Sequence, residues 1–212
     1  MATPREKYYE KRAQVLVKNL QRHHFEAYFC PDRASALQKA LELIPEGCSV
    51  GWGGAQSATD IGLLDAIRAG NYTAIDRDAV SDPAEKAKVM KRCLAADVFI
   101  TGANAISLDG SMVNIDGNGN RVAAIVYGPD SVVVIAGMNK VVDTLEDALR
   151  RARTVAAPVN KQRFAGETPC GITGSCADCL SDGCICNQIL VTRNCRPAGR
   201  IKFVLVGEEL GF

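Results

Sequence analysis

No apolar run in this 212-residue chain approaches the roughly 20 residues that a membrane-spanning helix needs, which excludes a helical membrane protein. The opening stretch, Met1-Ala-Thr-Pro-Arg-Glu-Lys7, has no apolar segment resembling a secretory signal, so a cytoplasmic location is the expectation. Neither charge is in excess. The 25 basic and 24 acidic residues give a formal net charge of +1, which offers no electrostatic argument for nucleic acid or a membrane surface as partner. There are only two histidines, His23 and His24, at the end of the first predicted helix, where they complement its dipole. No Ser-His-Asp or Cys-His arrangement is apparent. No internal repeat or low-complexity tract occurs, and neither the P-loop nor the dinucleotide fingerprint is present.

Cysteine, by contrast, is abundant and clustered. Six of the nine lie between Cys170 and Cys195, spaced C-x5-C-x2-C-x4-C-x-C-x8-C. In a reducing compartment disulfides are disfavoured, and thiols this close bind a metal or an iron–sulfur cluster. The Cys176/Cys179 pair has the spacing that seeds either site. A [4Fe–4S] cluster, structural zinc and redox-active or unligated thiols all remain open here. Asp178 and Asp182 argue against a reactive disulfide, which needs positive charge to lower a thiol pKa. The isolated Cys30, Cys48 and Cys93 are expected to be small buried hydrophobes.

A hydrophobic fraction of 47% and a charged fraction of 23% are those of a globular domain. Thr3-Pro4-Arg5-Glu6 has the form of a capping box with proline at the first helical position. Tyr9, Ala13, Leu16 and Leu20 then share one face of the helix. Strands are predicted at 26–30, 48–52, 72–76, 97–102, 132–137 and 201–207. Helices are predicted from Asp32, with Ala34, Leu37, Leu41 and Ile44 as the buried stripe, from Ser57 to about Gly70, from Asp82 to about Ala95, and from Asp143 to about Ala156. This alternation predicts an α/β fold around a mostly parallel, Rossmann-like sheet. The expected partition is an α/β domain over 1–160, an irregular metal- or cluster-binding segment over 161–198, and a strand over 199–212 that returns to the domain.

Ligands of such sheets bind beyond the carboxyl ends of the strands, which directs attention to three loops. In the first, Gly51-Trp-Gly-Gly-Ala-Gln-Ser-Ala-Thr-Asp60, Gly53 and Gly54 permit close backbone approach, and Ser57 and Thr59 sit at a helix start that suits an anion. A plain capped turn is the competing reading. The second runs from Asp109 to Arg121. Asp109-Gly110 signals a hairpin, and Asp116-Gly-Asn118-Gly-Asn120-Arg121 forms a dense polar loop. It lacks the terminal glutamate of a calcium loop. The third is Gly137-Met-Asn-Lys140, with Asn104 beyond the 97–102 strand in a similar position.

The stretch Thr101–Lys140, together with the Gly-Trp-Gly-Gly-Ala-Gln-Ser-Ala-Thr loop and the ending Gly207-Glu-Glu-Leu-Gly211, resembles the LUD (lactate-utilisation) domain family, in particular a short single-domain subgroup. The resemblance implies a sheet similar to those of sugar-phosphate isomerases and CoA transferases. It also implies association with lactate oxidation beside iron–sulfur partner proteins. Within the subgroup pattern the matching cysteines are Cys170, Cys176, Cys179 and Cys186, which the resemblance makes the ligands. Cys184 and Cys195 are set apart as extras. The typical family member lacks this cluster.

Together these lines lead to an expected oxidoreductase component for a small hydroxy or keto acid, with a cysteine-bound iron–sulfur cluster. Arg121 and Lys140 would neutralise a carboxylate. Gly53, Gly54, Ser57, Thr59, Asn104, Asn118 and Asn120 would bind the metabolite, and Asp116 would be the acid/base. The expected partners are a small anionic metabolite, iron–sulfur electron-transfer proteins and a second copy in a homodimer. The alternative is a non-redox isomerase or transferase acting on a phosphorylated or CoA-linked metabolite, with zinc tying down the tail.

Overall fold

A computed structural model describes residues 2–212. Helix α1 (Pro4–Arg22) opens on the expected reciprocal box between Thr3 and Glu6, and buries Ala13, Leu16 and Leu20. It leads to β1 (Glu26–Cys30), α2 (Arg33–Glu42) and β2 (Ser49–Trp52). Asp32 caps α2, but the buried positions are Ala36 and Ala40, and Ala34 is exposed. Leu37, Leu41 and Ile44 of the expected stripe pack against the same core as Ala36 and Ala40, so only Ala34, in the first turn, departs from it.

Two short helices, α3 (Gln56–Asp60) and α4 (Leu63–Ala69), replace the single helix predicted from Ser57. Gly62 stands between them with a φ of 77°, a conformation that breaks a helix and favours glycine. Next come β3 (Thr73–Ile75), α5 (Pro83–Arg92), β4 (Val98–Gly102), β5 (Ala105–Ser107) and β6 (Met112–Asp116). The hairpin between β5 and β6 turns at Asp109-Gly110, as expected. Asp109 Oδ1 accepts the Ser111 N–H at 2.9 Å, and Gly110 has a φ of 99°.

Helix α6 (Asn120–Val126) and β7 (Ser131–Gly137) follow, then β8 (Val141–Val142) and α7 (Leu145–Arg151). The cap of α7 is Thr144, not Asp143; its hydroxyl accepts the Asp147 N–H at 3.1 Å. The helix does not end near Ala156. It passes through a π turn at Ala152–Ala156 into α8 (Ala157–Lys161). The chain finishes with α9 (Pro169–Thr173), β9 (Gln188–Thr192) and β10 (Ile201–Val206).

Six strands form one parallel sheet in the order β1-β10-β7-β4-β2-β3. Its central strands are covered on both faces, which is why they read as unbroken apolar runs rather than alternating ones. Val132 and Val134 face a core containing Leu16, Leu20, Phe99 and Phe203. Val133 and Ile135 face another containing Val50, Trp52, Ile100 and Leu63. A second sheet, β8-β5-β6-β9, packs Ala105, Val113 and Ile115 on Ala148 and Ala152.

The cysteine segment is irregular apart from α9 and β9. Strand β9 was not foreseen, although Ile189-Leu-Val-Thr192 is a largely β-branched run; three of its five residues are exposed. It pairs antiparallel with β6, setting Gln188 opposite Asp116. That pairing fixes the cysteine segment beside the polar loop at 116–121. Among the described residues, no helix is long and apolar enough to cross a membrane.

Candidate functional site

The order of the main sheet reverses around β2, with β3 on one side and β4 on the other. Open parallel sheets leave a crevice at such a point. Here the crevice is a cleft of about 450 Å³, lined from the end of β2 by Gly54, Gln56 and Ser57, and from the end of β4 by Gly102, Ala103 and Asn104. Lys140 reaches it from beyond β7, and Asp116, Asn118, Asn120 and Arg121 from the polar loop. The three loops singled out in the sequence therefore meet.

Arg121 is the most constrained of these residues. Its Nη2 donates to Asn104 Oδ1 at 2.9 Å and to the Ile115 carbonyl at 2.5 Å. The side chain runs across Gly53, where an added Cβ would lie 3.0 to 3.2 Å from Arg121 Cγ, Cδ and Cβ. Gly53 therefore acts by making room for the arginine and does not itself line the cleft. Burial pulls the guanidinium below its ordinary pKa, opposed by the charge of Asp116.

Lys140 is 4% exposed, and its Nζ donates to the Ser57 hydroxyl at 2.8 Å. Burial lowers its pKa to about 7, assisted by Arg151 and Arg121 and opposed by Asp60. Ser57 is inside the first turn of α3 and does not cap it; Ala55 holds the cap position.

Asp116 is differently employed from the expected free acid/base. Its Oδ2 accepts the N–H groups of Arg121 and Val122, and its Oδ1 that of Gly117. The carboxylate thus anchors the start of α6, which opens at Gly119 with a φ of 82°. Thr59 is exposed and bonds back to the Ala55 carbonyl, outside the cleft. Asn118 and Asn120 line the cleft as expected.

Sequence reasoning missed Gln56, Arg77, Asp78, Lys86, Lys161, Arg163 and Asp182, all on the lining. In total six basic and three acidic side chains border the cleft, so it suits an anion. Lys161 arrives at the end of α8, where the helix continues past Ala156. Its ammonium is buried and donates to the Ala165 carbonyl at 2.9 Å.

The cysteines gather at a neighbouring cavity of about 230 Å³. Cys170, Cys176, Cys179 and Cys186 line it, and so does Cys184. The Cys184 sulfur accepts the Cys186 N–H at 3.4 Å, which places this supposed extra within the group. Cys195 is separate. It is buried in the main core, with its thiol 3.1 Å from the Pro197 carbonyl. None of the cysteines is paired in a disulfide. Burial, then the charges of Cys184, Cys170 and Cys176, push the Cys186 thiol up to about 12. Cys179 is held below its ordinary value by hydrogen bonds from Ser181. As placed, no three His, Cys, Asp or Glu side chains among the described residues stand close enough to hold a metal ion. The single cysteines Cys30 and Cys93 are buried and Cys48 is half-buried, and burial raises all three thiols.

The two cavities share a wall made of Lys161, Cys184 and Ile185. The polar loop lies against this wall at Gly117, which neighbours Ile185 and whose carbonyl accepts from Asn187 Nδ2 at 3.1 Å.

This geometry defines an α/β protein with a cationic cleft at the switch point of a parallel sheet. The family model for the LUD domain matches residues 13–206, and the chain belongs to the LUD domain family. It is similar in fold to a DUF162 family protein from Deinococcus radiodurans, with a TM-score of 0.51 at 12% identity over 95% of this chain and 97% of that one. Ribose 5-phosphate isomerase A from Neisseria gonorrhoeae gives a TM-score of 0.33 at 21% identity, over 53% of this chain and 54% of that one. No curated protein matches the chain.

Proposed function

We propose that this LUD domain protein binds a small hydroxy or oxo acid in the cationic cleft and takes part in its oxidation beside a cysteine-held iron–sulfur cluster. The observation that carries this reading is the wall common to the two cavities. An acid bound on one side would lie next to a thiol-rich cavity on the other.

Residues 161–198 are assigned as the cluster-holding segment between an α/β body at 1–160 and a returning strand at 199–212. Cys170, Cys176, Cys179 and Cys186 are the proposed ligands, with Cys184 at the same rim. An all-thiol donor set suits iron–sulfur clusters and also zinc. When bound, the cluster supplies one-electron transfer. The chain's own residues do the rest. Arg121 neutralises the carboxylate, while Ser57, Asn118 and Asn120 orient the acid. Lys140 serves as the proton acceptor, the part the sequence suggested for Asp116. Electron-transfer proteins bearing iron–sulfur clusters are the proposed macromolecular partners.

A second reading is a non-redox isomerase or transferase on a phosphorylated or CoA-linked metabolite, with structural zinc. The six basic side chains of the cleft favour it, since they suit phosphate as well as carboxylate. Purification without oxygen separates the two, by iron, acid-labile sulfide and zinc analysis with a visible spectrum. The first reading expects a coloured protein with iron and sulfide. A colourless protein with one zinc per chain overturns it in favour of the second.

A further inference from the structure

We infer that Lys140 forms an imine with a 2-oxo acid, its Nζ joining the carbonyl carbon while Arg121 holds the acid's carboxylate. This rests on the cleft binding a small oxo acid, and it names a covalent step at that site.

Three observations carry it. First, Lys140 is buried yet borders the cleft, so its amine is aimed into the ligand space and away from bulk water. Second, its hydrogen-bond partner is a neutral hydroxyl, Ser57 Oγ at 2.8 Å, and it joins no ion pair among the described residues. Third, the charges facing it are mainly guanidinia: Arg121 from α6 and Arg151 from α7, against Asp60 from α3. Asp60 is itself engaged, accepting the Gly211 N–H at 2.7 Å. A desolvated lysine beside other cations is held as the free amine, the form that attacks carbonyls. A lysine meant only to neutralise a carboxylate is better left solvated and charged.

The step balances without an oxidant. The Nζ lone pair forms a bond to C2 of the oxo acid, and the carbonyl oxygen takes a proton to give a carbinolamine. That oxygen then leaves as water, carrying both protons of the original amine, and the C=N bond forms. Ser57, in contact with Nζ, is positioned to pass the proton from nitrogen to oxygen. Hydrolysis reverses the sequence.

The test incubates the full-length protein with pyruvate, 2-oxobutyrate or oxaloacetate and cyanoborohydride, followed by intact-mass and peptide analysis. The expected result is one adduct per chain, with the mass of the oxo acid less one oxygen, mapped to Lys140. Its formation should rise as pH passes through about 7, set by Lys140 against Arg121, Arg151 and Asp60. Lys140→Arg should give no adduct at that peptide, and Ser57→Ala should slow formation at least several-fold. Peptide mapping of the unmodified sequence decides the matter even where a variant misfolds. Binding is followed separately by saturation-transfer NMR of the same acids. Binding without an adduct at Lys140 overturns the imine and leaves the proposed function standing. Neither binding nor adduct overturns both.

Discussion

In the main sheet, β7 buries every side chain from Val132 to Ala136 completely, whereas in the cysteine segment Leu180 is 99% and Ile172 71% exposed. The sheet draws its order from apolar burial on two faces. The segment has no comparable core. It is tied to the body by the β6–β9 ladder, the Asn187–Gly117 hydrogen bond and the Arg153–Asp178 ion pair. The comparison teaches where each region's order must come from. The sheet carries its own, while the segment, with little core, depends on these few ties to the body.

The largest break in the comparison should come from the sheet. Phe203 is fully buried and meets Phe25 edge-to-face at 5.3 Å between centroids. Phe203→Ala is expected to cost about 3–5 kcal/mol in urea denaturation. A loss below about 1 kcal/mol would mean that this core is not what holds the sheet.

Next is the buried amine. Its pKa is depressed in the folded state, from 10.5 to about 7. Between those values the unfolded chain holds a proton that the folded chain lacks, so stability rises with pH across that window. Below pH 7 the penalty is fully present. Lys140→Met should therefore raise stability by about 2–4 kcal/mol at pH 6 and flatten the rise from pH 7 to 10.5. A pH profile unchanged by the substitution would show that the amine is not desolvated.

Gly137→Ala ranks third. The new Cβ would stand 2.4 to 2.6 Å from Asn139 Oδ1, the Glu208 carbonyl and the Leu210 nitrogen. Backbone must move, at about 1–3 kcal/mol, and the 208–211 stretch should lose hydrogen-exchange protection first. The smallest effect belongs to the segment. Arg153→Ala removes an exposed ion pair and should change global stability by less than about 1 kcal/mol. A larger loss would show that the segment leans on this pair.

Much of the body was legible because its signals are local. The Thr3–Glu6 box, the Asp32 and Asp82 caps and the Asp109-Gly110 hairpin each concern a few adjacent residues. The valine run of β7 could mean little other than a strand covered on both faces. The break at Gly62 was not legible, since one glycine in a helical pattern is often tolerated. Thr144 and Asp143 are both good caps, and only the backbone chooses between them. The π turn at 152–156 was not legible, since Pro158 beside it signals a helix end, yet the chain continues as α8 to Lys161 at the cleft. For the site, the sequence pointed to the right loops but not to the duties within them. Asp116 has the composition of an acid/base and the position of a helix anchor. Cys184, which the family resemblance set apart as an extra, lies among the other thiols.

By itself the sequence determined the alternation of strands and helices, the family and the thiol-rich character of residues 170–186, because each is written in neighbouring residues. Only the tertiary structure decided that Lys140 is a buried amine on Ser57, that Gly53 exists for Arg121, and that the thiol cavity adjoins the cationic cleft. Those facts depend on residues dozens to over a hundred positions apart in the chain. Burial and the approach of distant charges, which set a group's chemistry, arise only when the sheet brings such residues together.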